Sequence, residues 1–201
     1  MVLGVACVVV TGVSLATAAA SVSRTPRSVV LRASQVGPGY RAEQVPVEAG
    51  SGIGSLPCVH APKDPLKGVQ TFAQSYVKPG SPAVFNVVAR YPSAAALAAN
   101  IAAERRAMTT CPVPQKLRIA PGEVAWLYPA RLTAPHLLSG SIAQRDVIFV
   151  TVGAHTSTHT VFGIYQTSGP ILSFVQAGGP HVSAAEAVIL HAAEESASNL
   201  R

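Results

Sequence analysis

Three cysteines and six histidines hold most of the reactive chemistry open to this 201-residue chain. Cys7, Cys58 and Cys111 show no Cys-x-x-Cys spacing, so each is read by its surroundings. In "RRAMTTCPVPQ", Arg105 to Gln115, Cys111 follows a helix-like run and directly precedes Pro112. A cysteine there can be a nucleophile, a metal ligand or half of a disulfide. A nucleophile needs an activating histidine in a recognisable local signature, and none surrounds Cys111. His155 and His159 in "GAHTSTHTV" are four apart, which on a helix puts two imidazoles on one face. On a strand the same spacing separates them by about 13 Å, too far to share an ion. Only a loop could gather them around zinc or copper, and a nearby carboxylate would then make a metal-dependent envelope hydrolase. His60, His136, His181 and His191 are scattered and suit surface or cap positions.

Other chemistries find less support. There is no Gly-x-Ser-x-Gly elbow, and "GSGIGS" lacks the lysine and the strand-to-helix setting of a phosphate loop. Acidic residues number only nine, and most sit where surface solvation accounts for them. No catalytic residue, metal site or cofactor is therefore expected. The net charge is +6, but the basic residues form no run and the aromatic residues are not interleaved with them. A nucleic-acid platform is accordingly not expected. Trp126, Tyr128, Phe149 and Tyr165 fall in strand-like runs, where core packing explains alternating aromatic positions. The functional reading of the same four residues is an aromatic-lined cleft between sheet and helices.

The compartment decides what Cys111 is for. Met1 to Ser23 holds no charged side chain, and small residues end the apolar run at Ala16-Thr17-Ala18 and Ala18-Ala19-Ala20. Residues 1–20 read as a secretory signal peptide or, at about 20 apolar residues, an uncleaved membrane anchor. An exported domain meets oxidising conditions, and Cys58 and Cys111 are the two cysteines beyond that segment. They read as one disulfide closing a loop of about 50 residues, which stabilises by about 4 kcal/mol on the chain-entropy model.

The elements that position these residues follow from punctuation and period. Residues 21–30 read as a polar linker, and a single domain is expected over 31–201. "YRAEQVPVEA" is a first strand, kept to an edge by Pro46. Residues 49–68 are a long Gly- and Pro-rich loop around Cys58. "GVQTFAQSYV" and "AVFNVVARY", joined by "KPGSP", form a hairpin. Ser93 caps a helix whose buried face is Leu97, Ile101 and Met108, and Pro112 stops it. Five short strand runs follow, the last two joined by "TSGP". A final helix is expected from a Ser183–Glu186 capping box, facing the core with Val188, Ile189, Ala192 and Ala193. Antiparallel runs with helices between and after them make an α+β fold: a curved antiparallel sheet packed against two main helices, with one disulfide.

In order, "LRASQVGPGYR", a cysteine some twenty residues on, the hairpin, the "YPSAAALAANIAAERRAMTTCP" helix and the closing hairpin and helix resemble a known group. They are similar to the exported sensor-like domains of actinobacteria, the group that includes the extracellular domain of the mycobacterial kinase PknH. The resemblance covers about residues 31–200 and rests on order and on the Cys-Pro placement. It implies a disulfide-linked antiparallel sheet with helices around a ligand cleft, and it supplies no catalytic residues to carry over. The expected function is a non-enzymatic, secreted or membrane-anchored, extracytoplasmic binding domain of the cell envelope. Its partner would be a small molecule, lipid or cell-wall component, with membrane association through residues 1–20. The alternatives are the His155/His159 hydrolase and a protein–protein adaptor.

Overall fold

The structure, a computed structural model, describes residues 24–45, 68–120, 123–179 and 181–201. The expected signal or anchor segment, residues 1–20, and Cys58 with most of its loop lie outside the described residues.

Among the described residues eight antiparallel strands form one sheet: β1 (Arg41–Gln44), β2 (Gln70–Val77), β3 (Ala83–Arg90), β4 (Gln115–Ala120), β5 (Glu123–Arg131), β6 (Ile142–Val152), β7 (His155–Ser168) and β8 (Ile171–Gly178). Their order across the sheet is β1-β2-β3-β8-β7-β6-β5-β4. Four short-loop hairpins cannot produce this order. After β3 the chain must travel to the far edge and return as a meander, so that β8 closes against β3. The helix α3 (Ala94–Thr110) makes that journey. Five strand spacings of about 4.8 Å come to about 24 Å. Seventeen helical residues span about 25 Å, so the helix length matches the crossing. Ser93 starts α3 as expected: its hydroxyl accepts from the Ala96 N–H at 3.1 Å.

The sheet has a helix on each face rather than two on one. Alternation along the strands sends Ala73, Val87, Ala89, Tyr165, Leu172 and Phe174 to one side, where they bury Leu97 and Ile101 of α3. The other side presents Tyr76, Val84, Phe162, Ile164, Val175 and Ala177 to the helix α4 (Val182–Leu200), through Ala185, Ile189, Ala192 and Ala193. The helix α4 packs on β7, β8 and β3. Its alanines permit close approach to the strands, and each contributes apolar area at roughly 25 cal/mol per Å².

Two local expectations change. The box at Ser183 is not formed. Winding begins with the Ala185 N–H to His181 carbonyl bond at 3.0 Å, His181 stands at the cap position, and no side chain caps it. Packing of the alanine-rich stripe fixes the start of α4, not a hydroxyl. Second, residues 24–30 are not a free spacer. The turn α1 (Pro26–Val29) buries Val29 against Val88, Ile171 and Leu200, and the Arg24 guanidinium donates to the Leu200 and Arg201 carbonyls at 2.9 and 3.0 Å. An arginine on the last carbonyls of α4 satisfies acceptors that the helix leaves open.

A buried polar network joins the layers. Asn86 is fully buried; its Oδ1 accepts from the Leu31 N–H at 3.0 Å, and its Nδ2 donates to Ser173 Oγ and the Phe174 carbonyl at 2.9 and 3.0 Å. Ser173 Oγ in turn lies 2.7 Å from Ser196 Oγ on α4. The Tyr76 hydroxyl donates to the Leu31 carbonyl. Leu31 thereby has both backbone groups satisfied by buried side chains, which fixes the segment before a second turn, α2 (Ala33–Val36).

Candidate functional site

Where α3 passes the start of β6, residues 132–141 fold back over the end of the sheet. Leu132 continues the ladder by donating to the Ala143 carbonyl at 3.1 Å, and Ser141 closes the segment by bonding Leu138 through both its N–H and its hydroxyl. The Leu138 N–H donates to the buried Gln166 Oε1 at 3.3 Å, which anchors the segment to β7. Gly140 has φ +80°, and its carbonyl accepts from the Arg105 guanidinium of α3. A side chain at Gly140 would meet that guanidinium at 3.2 Å, so the glycine allows the arginine to approach. Between helix and segment lies a cavity of about 570 Å³. Met108, Leu132, Leu137, Leu138 and Ile142 give it apolar walls, and Arg105, Arg131 and His136 are its charged or titratable lining, with no carboxylate among them. This arrangement suits an anion attached to an apolar body. No single spacing in the sequence marks it, because it joins α3 to a connection that strand patterns only bracket.

The four aromatic candidates do not share a cleft. Register pairs Trp126 with Phe149, Tyr128 with Val147, and Phe149 with Thr158. Tyr165, odd-numbered on β7 where Thr158 is even, falls on the opposite face. There it is buried and stacked on Phe174, with ring centroids 4.4 Å apart. Gly163 makes room for this stack: a Cβ there would lie 3.0 Å from the Phe174 ring. Trp126 and Tyr128 instead stand 37% and 40% exposed on the side that carries α4. The Tyr128 ring meets Phe149 edge-on at 5.4 Å, and Lys116 Nζ sits 5.6 Å from the Trp126 ring centroid. Cation and aromatic are therefore interleaved in space, although ten positions separate them in the chain.

Both candidate metal histidines lie on β7, paired with Val152 and Ile148, so the strand rather than a loop sets their spacing at about 13 Å. His159 Nε2 is instead 2.9 Å from Ser157 Oγ. Among the described residues no group of three His, Cys, Asp or Glu gathers. A metal shared by His155 and His159 is thus ruled out by the strand geometry. Cys111, just beyond α3, packs with Met108 beside Leu127 and Ile148. It is the single cysteine among the described residues.

Two of the carboxylates, Glu104 and Asp146, are withdrawn from the surface. Glu104 is 8% exposed under α3, and burial raises its pKa to about 7. Burial likewise raises Asp146 to about 6, opposed by the Gln144 amide, which donates to Asp146 Oδ2 at 3.0 Å. Tyr165 lies close enough to both that, after burial, their negative charges raise its pKa further. The other Asp146 oxygen and the whole Gln115 amide are buried without hydrogen-bond partners among the described residues. The signal for Glu104 was its place on the Leu97, Ile101, Met108 stripe. A carboxylate at an interior helical position is a buried carboxylate.

Fold and site together define an α+β domain with one eight-stranded antiparallel sheet between two helices, and a cationic, apolar-walled cleft at one sheet end. The chain is similar in fold to the crystal structure of the extracellular domain of PknH from Mycobacterium tuberculosis, with a TM-score of 0.54. The match covers 85% of this chain and 93% of that one at 11% identity, which speaks to architecture alone. No family profile and no curated protein sequence matches it significantly.

Proposed function

We propose that this chain is a non-enzymatic, extracytoplasmic binding domain of sensor-like type. It holds a small anionic ligand, a lipid or wall component, in the cleft between α3, the start of β6 and residues 132–141. The observation that carries this reading is the cleft's composition: two arginines and a histidine over apolar walls, in a volume typical of ligand sites. An apolar first segment and the architecture shared with an extracellular domain support the location. The Cys58–Cys111 disulfide belongs to the same reading, because it would pin the loop around Cys58 beside the end of α3.

Calorimetric titration of the full chain with dodecyl phosphate and with dodecyl maltoside tests it. The phosphate-headed chain should bind at least about tenfold tighter, a difference of about 1.4 kcal/mol, and Arg131→Ala should abolish the preference. Absence of heat with both ligands, or equal binding by an Arg105→Ala/Arg131→Ala variant, refutes the assignment.

A further inference from the structure

The exposed strip on β4, β5 and β6 is independent of that cleft. The helix α4 covers β7, β8 and β3, so the same face of the outer three strands carries no helix among the described residues. Two of the four exposed large apolar side chains among the described residues, Trp126 and Tyr128, stand there. They are two apart on β5 and so about 7 Å from each other along one face. Phe149 connects them, opposite Trp126 across the ladder and edge-on to Tyr128. Aromatic area left in water forgoes stabilisation that burial would supply, and a contiguous patch of this kind marks an interaction surface.

We propose that this strip binds an acidic polysaccharide, whose sugar rings lay their C–H faces on Trp126 and Tyr128. Three features select that partner. Among the described residues nothing walls this face in to enclose a small molecule, so it suits an extended chain lying across the strands. Cations flank the rings: Lys116 sits over Trp126, and Arg145 is exposed on the same face, paired across the ladder with Ala130 and Phe162. Asp146, the nearest acid on β6, points to the other face, so it does not repel a bound carboxylate. Thr158, beside Phe149 on β7, is exposed and offers a hydroxyl to sugar hydroxyls. A single-stranded nucleic acid also stacks on rings, but it carries a charge on every unit and is held in a continuous basic groove. Two cations around three rings match a polymer with sparser charge.

Trp126 is the only tryptophan in the chain, so its emission reports the strip directly. The full chain is titrated with polygalacturonate, hyaluronan, dextran and a dT oligonucleotide, with retardation in polysaccharide-containing gels as a second readout. At least one acidic polysaccharide should shift the emission and retard the protein, while dextran should do neither. Added salt should weaken the binding several-fold through screening. Tyr128→Ala and Lys116→Glu should each weaken binding about tenfold or more, with unchanged circular dichroism and melting temperature. Lys116→Glu alters a solvated charge, so it keeps the test valid should Tyr128→Ala unfold. No response to either acidic polymer, an equal response to dextran, or a response to dT alone overturns the proposal. Unchanged binding by both variants overturns it as well. Titration with dodecyl phosphate reads the cleft separately.

Discussion

Replacing Glu104 with glutamine should stabilise the domain at alkaline pH and do little at acid pH. The side chain is 8% exposed beneath α3, and burial lifts its pKa from 4.5 to about 7. In the unfolded chain the carboxyl ionises near its ordinary value. Between about pH 4.5 and 7 the folded state therefore holds a proton that the unfolded state has released, and stability falls as pH rises. The contribution is fully present below the unfolded pKa and lost once pH passes the folded one. That rise corresponds to about 3 kcal/mol between the two ends of the range. Glutamine has the shape of the protonated acid and cannot ionise. Urea denaturation of the wild type and Glu104→Gln at pH 4, 6 and 8 and fixed ionic strength should show near-equal stability at pH 4. At pH 8 the variant should be more stable by about 2 to 3 kcal/mol. Asp146, raised to about 6, gives the wild type a slope of the same sign, but it is common to both proteins and cancels in the difference. An offset that does not change between pH 4 and 8 would refute the assignment of Glu104 as a buried acid.

Two further outcomes follow from the staple and from the polar network. Peptide mapping without reductant should join Cys58 to Cys111, and reduction should cost about 4 kcal/mol in urea denaturation; a free thiol at either position in exported protein excludes the bridge. Asn86→Ala should destabilise by about 2 to 4 kcal/mol. It strips the Leu31 N–H, Ser173 Oγ and Phe174 carbonyl of a buried partner together, and a loss below 1 kcal/mol would show that the network contributes little.

Much of the element order was legible because its signals are local. "KPGSP" between two alternating runs makes a hairpin wherever it occurs, and Ser93 with Pro112 bounds a helix without help from the rest of the chain. Pro46 similarly anticipates that β1 is an edge strand, since proline cannot serve a ladder on both sides. Sheet order was not legible, because the pairing of β3 with β8 joins residues as distant in the chain as Ala83 and Gly178. Nor were faces. Tyr165 and Phe149 both read as core-like aromatics in strands, yet one step of parity puts one under α3 and leaves the other beside the exposed strip. The terminal segment 24–30 read as linker because polar residues precede Val29, while the apolar partners that dock it, Val88, Ile171 and Leu200, lie far along the chain.

The same geometry explains why both candidate surfaces fall in one half of the sheet. The helix α4 leaves β8 near the sheet centre, and a connection that short confines it to β8, β7 and β3. The turns α1 and α2 fill in beside it, with α1 packing on β2 and β3, so β2, β3 and β8 have cover on their α4-side face. The strands β4, β5 and β6 are reached only by the long crossing of α3 on the opposite face. Among the described residues no helix covers their α4-side face, by connectivity rather than by composition. The end of the α3 crossing brings Arg105 and Met108 against residues 132–141 and creates the cleft. A core-forming sequence would place small or polar residues on an uncovered face; this one places Trp126 and Tyr128 there, with Lys116 over the first. Folding derives little from that choice, since both rings remain more than a third exposed. A partner that covers them would gain the burial that the fold leaves unused.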